Sequence, residues 1–417
     1  MLRLPEELIR DICQRLEPRD IGAIRATSKE LKNKTYSSFV KAFETVEVHL
    51  DEPQLDYLNR LSKSDFADFV QVVHLRPRYN IPPFVIWERA QDKLPTAAER
   101  YIARGDDVRE LVRALDNFRN LVCIEVEASP LSALPSSLAE GEDQNSRAMV
   151  RLGGTKLTGI TYAFTAVLRA LAILQGGGVA VRELRAGTTP NGVVRKSIDH
   201  LSLQLHLHPP SLLQILGQLQ TLDLVLEVRP ASSGTDCATL LAQFLQHTNN
   251  LRHLKLSFWH IAGDWLSETF RNVTFPQLQT LNLEAAHDVD FNLLADFLAR
   301  HKSTLRTLEL KNIIFTNDEL VEAFPTVFLS EGFLLRHINL RQLCSQRSGM
   351  LLFGTNLDYI CDACEQDSRA TFCNTTGPGC EHSSLVATKG EVSANDQLKR
   401  MKMMCTLPWP MRVVQPT

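Results

Sequence analysis

Leu8, Ile12 and Leu16 recur at every fourth position, with Ile9 beside them. This spacing predicts a short helix with an apolar stripe. Pro5 suits its first turn, where no amide donor is needed, and Glu6 and Glu7 sit where the helix dipole favours negative charge. Glu17-Pro18-Arg19 ends it, and Asp20 is placed to cap a second short helix holding Ile21 and Ile24. Thr27 or Ser28 can cap a third, running toward Leu31, Tyr36 and Phe39. Three short helices within about 40 residues cannot cover their own apolar surface. Either the rest of the chain packs on them or a partner helix does.

Beyond residue 42 the period changes. FETVEVHL (43–50) and FVQVVHLRP (69–77) alternate like strands, with a helix-like stretch between them. Further on, Leu-x-x-Leu-x-Leu or a close variant begins at Ile198, Leu219, Leu251, Leu278, Leu305 and Leu335, at intervals of 21, 32, 27, 27 and 30 residues by subtraction. Weaker echoes are VVHL (72–75), LVCIEV (121–126) and VRELRA (181–186). Helical stretches follow three of these strands, at 236–247, 289–301 and 316–324. A strand then a helix, repeated at roughly 20–30 residues, is a solenoid unit that buries its apolar face only by stacking on neighbours. The expected fold class is therefore α/β: a small N-terminal helical module (1–45), then an irregular leucine-rich-repeat-like array (46–344). A polar, Gly- and Ser-rich surface loop is expected at 134–159. Residues 345–417 lose the repeat and are expected to be a partly ordered tail, least ordered at 384–396.

Composition narrows the function. Hydrophobic content of 44% and charged content of 22% are those of an ordinary soluble globular protein. A net charge of −3 gives no basic field for nucleic acid. The most apolar stretch, 162–174, is shorter than the roughly 20 residues of a membrane span and contains Arg169. No secretory signal is read at the N-terminus. Nine scattered cysteines favour reduced thiols, hence cytoplasm and/or nucleus.

On repeat strands the Leu positions point inward and the residues between them face the concave surface. That alternation predicts one column of His200, Thr221, His253, Thr280, Thr307 and His337, and a second of Ser202, Asp223, Lys255, Asn282, Glu309 and Asn339. His253, Lys255, Thr280, Asn282, Thr307, Glu309, His337 and Asn339 form the candidate substrate surface. His206 and His208 could share one strand face, but no third metal ligand accompanies them. Cys361, Cys364, Cys373 and Cys380, with His382, fall within 361–382; the first pair has knuckle spacing. They would make a structural zinc staple, remain four unligated thiols, or form a non-native disulfide. No cofactor is implied otherwise. Gly176-Gly177-Gly178 runs from helix to strand, the reverse of a phosphate-binding turn, and no hydrolase, zinc-protease or kinase signature is present. LKRMKMM (398–404) is too short for a membrane-surface helix.

Leu4, Pro5, Glu7, Leu8, Ile12, Leu16, Asp20, Ile21, Arg25, Ser28 and Lys29 keep a spacing that resembles the F-box. The match covers roughly the first 40 residues, and the strand and helix after it are similar to fungal F-box proteins. Glu30-Leu31 stands where other members carry a Trp after Ser-Lys. The resemblance implies a non-catalytic substrate-recognition subunit of a cullin-type (SCF) ubiquitin ligase. Its F-box would bind a Skp-type adaptor, and through it a cullin, by Leu4, Pro5, Leu8, Ile12, Leu16, Ile21 and Ile24; its repeats would bind a protein substrate. The rival expectation is a protein-binding scaffold outside ubiquitination. No nucleic acid or membrane partner is implied.

Overall fold

A computed structural model describes residues 4–16, 18–77, 101–102, 104–127, 149–152, 155–174, 180–187, 197–204, 210–227, 234–259, 265–316, 334–345, 349–350, 370–374 and 383–388. The chain divides into two compact units, the first built from residues 1–196 and 208–215, the second from 197–207 and 216–417.

The first unit opens with four short helices rather than the three expected: α1 (Glu6–Cys13), α2 (Pro18–Thr27), α3 (Lys29–Lys34) and α4 (Tyr36–Lys41). Ser28 caps α3, its hydroxyl accepting the Leu31 amide at 3.1 Å. Asp20 lies inside the first turn of α2 rather than capping it, because the helix already begins at Pro18. The fourth helix arises at Thr35. Its fully buried hydroxyl donates to the Leu31 carbonyl at 2.6 Å, a local bond that turns the chain between α3 and α4. Ile9, Cys13, Ile21 and Leu31 form the core of this module, with Leu4, Leu16, Ile24, Phe39 and Ala42 packed against it.

Strands β1 (Thr45–His49), β2 (Val72–Arg76), β3 (Cys123–Val126) and β6 (Glu183–Ala186) follow, each paired in parallel with the next. Helices α5 (Glu52–Ser62), α6 (Asp106–Leu115) and α7 (Gly159–Ile173) intervene. The expected loop at 134–159 is in part a hairpin, β4 (Met149–Leu152) antiparallel to β5 (Thr155–Thr158). Most of α7 is buried. That accounts for the apolar run at 162–174 as core; no described helix is long and apolar enough to cross a membrane.

The second unit repeats the pattern with β8 (Thr221–Glu227), β9 (His253–Trp259), β10 (Thr280–Glu284), β11 (Thr307–Phe315) and β12 (His337–Ser345), consecutive and parallel. Helices α8 (Gly234–Gln246), α9 (Trp265–Arg271) and α10 (Phe291–Arg300) separate the first four. Within this unit the signature positions Leu219, Leu222, Leu224, Leu251, Leu254, Leu256, Leu278, Leu281, Leu283, Leu305, Leu308 and Leu310 are all at most 1% exposed. Burying each is worth about 1.5–3 kcal/mol, so the leucine spacing sets the fold.

A second device keeps the repeats in step. The Gln220 carbonyl accepts the Arg252 and His253 amides. Arg252 does the same for Gln279 and Thr280, Gln279 for Arg306 and Thr307, and Arg306 for Arg336 and His337. The first unit uses the same shared acceptor at Glu44, Gln71 and Val122. This identifies its three weaker sequence echoes as repeat strands of the same kind. Parallel strands joined in chain order through helices define an α/β solenoid-type fold preceded by a helical module.

One expectation fails here. The echo at Ile198 gives only β7 (Ile198–Asp199), which pairs with β8 at Leu226 and Glu227, followed by a 3-10 turn over His200–Leu203. Within the tail, β13 (Gly349–Met350) and β15 (Ser383–Thr388) pair antiparallel with β12, and β14 (Ala370–Asn374) with β15, so 384–388 is strand.

Candidate functional site: an apolar helix face and a polar strand face

Helix α1 carries apolar residues on two sides. Ile9 and Cys13, four apart, are 0% and 2% exposed in the module core. Leu8 and Ile12, also four apart, lie on a neighbouring side; Leu8 is 49% exposed and Ile12 half-buried. One stripe therefore closes the module and the other remains outside it. Of the remaining residues expected on a docking face, Pro5 is exposed, and Leu4, Leu16 and Ile24 are half-buried. Ile21 sits in the core at 2% exposure, since α2 must supply a side chain opposite Ile9 to close so small a module. Tyr36, expected on the third helix, begins α4 and is 53% exposed. The Arg25 guanidinium lies 5.6 Å from its ring centroid and 4.2 Å from that of Phe39. Phe39 and Phe43 meet Phe66 at 5.3 and 4.7 Å between centroids, anchoring α4 to the strand region of its own unit.

In the second unit the register aligns the expected columns. Thr221, His253, Thr280, Thr307 and His337 are successive Cα partners, as are Asp223, Lys255, Asn282, Glu309 and Asn339. Cross-strand bonds brace them. His253 Nδ1 lies 3.0 Å from the Thr280 hydroxyl, Lys255 Nζ 2.9 Å from Asp223, and Asn282 Nδ2 donates to Glu309 at 3.0 Å. Glu309 also meets Lys311, and His337 Nε2 at 3.9 Å. The result is a row of partly exposed side chains with mixed donors and acceptors, several of them bonded across strands. Asn339 is only 7% exposed. Ser202 leaves the column altogether: it is buried and donates to the Asp199 carbonyl at 2.8 Å inside the 3-10 turn that also holds His200. Cys361, Cys364, Cys380, His382, His206 and His208 lie outside the described residues, while Cys373 is in β14.

Cys13, Cys123 and Cys237 are free and buried, and burial pushes the Cys123 and Cys237 thiols up to about 12. A thiol so hard to ionise is a poor nucleophile.

The sequence profile of the F-box domain family matches residues 1–40, which coincide with α1–α4. No curated protein matches the sequence. Among solved structures, the leucine-rich repeat-containing protein LegL7 from Legionella pneumophila is similar over 75% of this chain and 94% of its own, at 13% identity and a TM-score of 0.24. The repeat architecture assigned above rests on this chain's own strand order and buried leucines.

Proposed function

We propose that the chain is the substrate-recognition subunit of an SCF-type ubiquitin ligase: its F-box holds a Skp-type adaptor, and through it a cullin, and its strand face holds a protein substrate. The observation that carries this reading is the second apolar stripe of α1. A helix of eight residues that closes its own core with Ile9 and Cys13 gains nothing from also presenting Leu8 and Ile12 to water. A groove in an adaptor would gain about 1.5–3 kcal/mol per buried Leu or Ile before association costs. The ladder of His253, Lys255, Thr280, Asn282, Thr307, Glu309 and His337 offers donors and acceptors to an extended peptide. The chain then acts by raising the local concentration of a target lysine near a conjugating enzyme, and performs no bond chemistry itself. The compartment that fits this role is cytoplasm and/or nucleus.

The test is capture of the adaptor by the full chain against a Leu8→Asp/Ile12→Asp variant. The parent should retain adaptor and cullin, and the variant should lose both while keeping its circular dichroism. Equal capture by the variant, or none by the parent, overturns the adaptor assignment. Ubiquitin transfer to a captured partner separates a ligase receptor from a scaffold.

A further inference from the structure

On the strand face of the first unit, the register sets His74 of β2 directly opposite Glu125 of β3, with Glu127 two residues further along the same side. His74 Nε2 lies 3.4 Å from Glu125 Oε2, and Nδ1 4.0 Å from Glu127 Oε1. One ligand-type atom from each of the three lies within 4.8 Å of the others. The side chains are 23%, 12% and 2% exposed respectively, so Glu127 is almost wholly withdrawn from water.

We propose that His74, Glu125 and Glu127 bind a divalent transition-metal ion of the zinc class. Two features favour an ion over a simple ion pair. A charge-assisted N–H···O bond is normally about 2.7–2.9 Å, so 3.4 Å is long for one. Donor arms of about 2.0–2.2 Å set at tetrahedral angles, by contrast, place neighbouring ligand atoms about 3.3–3.6 Å apart, the spacing of the Nε2–Glu125 pair; because one ion takes only one ring nitrogen, Glu127, which faces Nδ1, must swing toward an ion held on Nε2. Second, the two oxygens of Glu127 are divided. Oε2 is held by Arg76 at 3.0 Å, and Arg76 is itself held by Glu47, while Oε1 faces His74. A carboxylate fixed by an outer cation with its other oxygen turned toward an imidazole is how an outer shell orients a ligand.

The imidazole selects zinc-class ions over magnesium or calcium, and three protein ligands leave a fourth position for water or a partner's side chain.

The experiment is titration of the full chain with Co2+ as a spectroscopic probe. A His/carboxylate site gives ligand-field bands without a sulfur charge-transfer band, which distinguishes it from the thiols at 361–380. We expect one such equivalent, and affinity weaker by about 100-fold or more in His74→Ala and in Glu125→Gln, each folded by circular dichroism. Absence of the sulfur-free species in the parent, or its persistence unchanged in both folded variants, overturns the site. This test is independent of adaptor capture, which can succeed or fail without it.

Discussion

His301 Nε2 accepts the backbone N–H of Phe275 at 2.9 Å, while its Nδ1 lies 2.7 Å from the Phe297 carbonyl. A carbonyl can only accept, so the ring is neutral and carries its proton on Nδ1. The imidazole, 2% exposed, thus ties the end of α10 to the segment that leads into β10. Burial lowers its pKa below the ordinary value of 6.5. A depressed folded-state pKa contributes stability that is present above the unfolded value and lost as pH falls through the folded one. His301→Ala should cost about 2–4 kcal/mol at pH 7.5, from the orphaned Phe275 amide and the cavity left behind. The gap between parent and variant should narrow on acidification below about pH 6.5. Urea unfolding at a series of pH values checks both; a gap that is constant with pH would remove His301 from the acid response.

The two faces of each repeat strand should respond oppositely to truncation. Leu281 is fully buried, and its neighbour Asn282 on β10 sits on the polar side, bonded to Glu309. Leu281→Ala should destabilise the second unit by about 3–5 kcal/mol. Asn282→Ala should change stability by less than about 1 kcal/mol, because its bond is partly solvated. If the polar ladder is the substrate surface, Asn282→Ala combined with Thr280→Ala should nonetheless reduce substrate capture. Thermal unfolding and affinity capture on the same preparations separate the two effects.

Most of the repeat array was legible because burial falls on the same leucines in every unit. An alternation of Leu with polar residues carries its own register, and Leu254, Leu281 and Leu308 align as the spacing predicts. The echo at Ile198 misled because only the sequence pattern repeats there; β7 meets β8 near its far end, at Leu226, rather than at Thr221. Ile21 turns into the module core, which the apolar period of a helix as short as α2 cannot by itself foretell. The His74, Glu125 and Glu127 cluster joins residues about fifty apart. Aligning VVHLR (72–76) with CIEVE (123–127) by their alternation would have revealed it, since both segments had been read as strands.

Asp107, in the first turn of α6, is fully buried and accepts a hydrogen bond from the Tyr162 hydroxyl of α7. Desolvation raises its pKa above 3.8, outweighing that bond and the backbone amides that also favour the charged form. A raised carboxyl contributes stability below its unfolded value, which is lost as pH rises through the folded pKa. Asp107→Asn removes the titration. Its stability relative to the parent should therefore improve from pH 4 to pH 8. Tyr162→Phe should be destabilising by about 1–3 kcal/mol at pH 8, where the charged form loses its side-chain donor. Denaturant midpoints at the two pH values decide this, and a parent–Asn difference that does not change with pH would contradict it.

Leu8 and Ile9 are adjacent in α1, yet their substitutions should separate folding from docking. Ile9 is 0% exposed and touches the module core, so Ile9→Ala should cost about 2–4 kcal/mol. The core is small, and that loss should melt α1–α4 before the strand region, lowering adaptor capture through unfolding. Leu8 is half in water, so Leu8→Ala should leave stability within about 0.5 kcal/mol and weaken adaptor binding by about 1–3 kcal/mol if its side chain enters a partner groove. Hydrogen exchange of residues 6–41 reports the first effect and calorimetric titration with a Skp-type adaptor the second. Loss of protection without loss of affinity in Ile9→Ala, or unchanged affinity in Leu8→Ala, would mean that the outer stripe of α1 is not the contact.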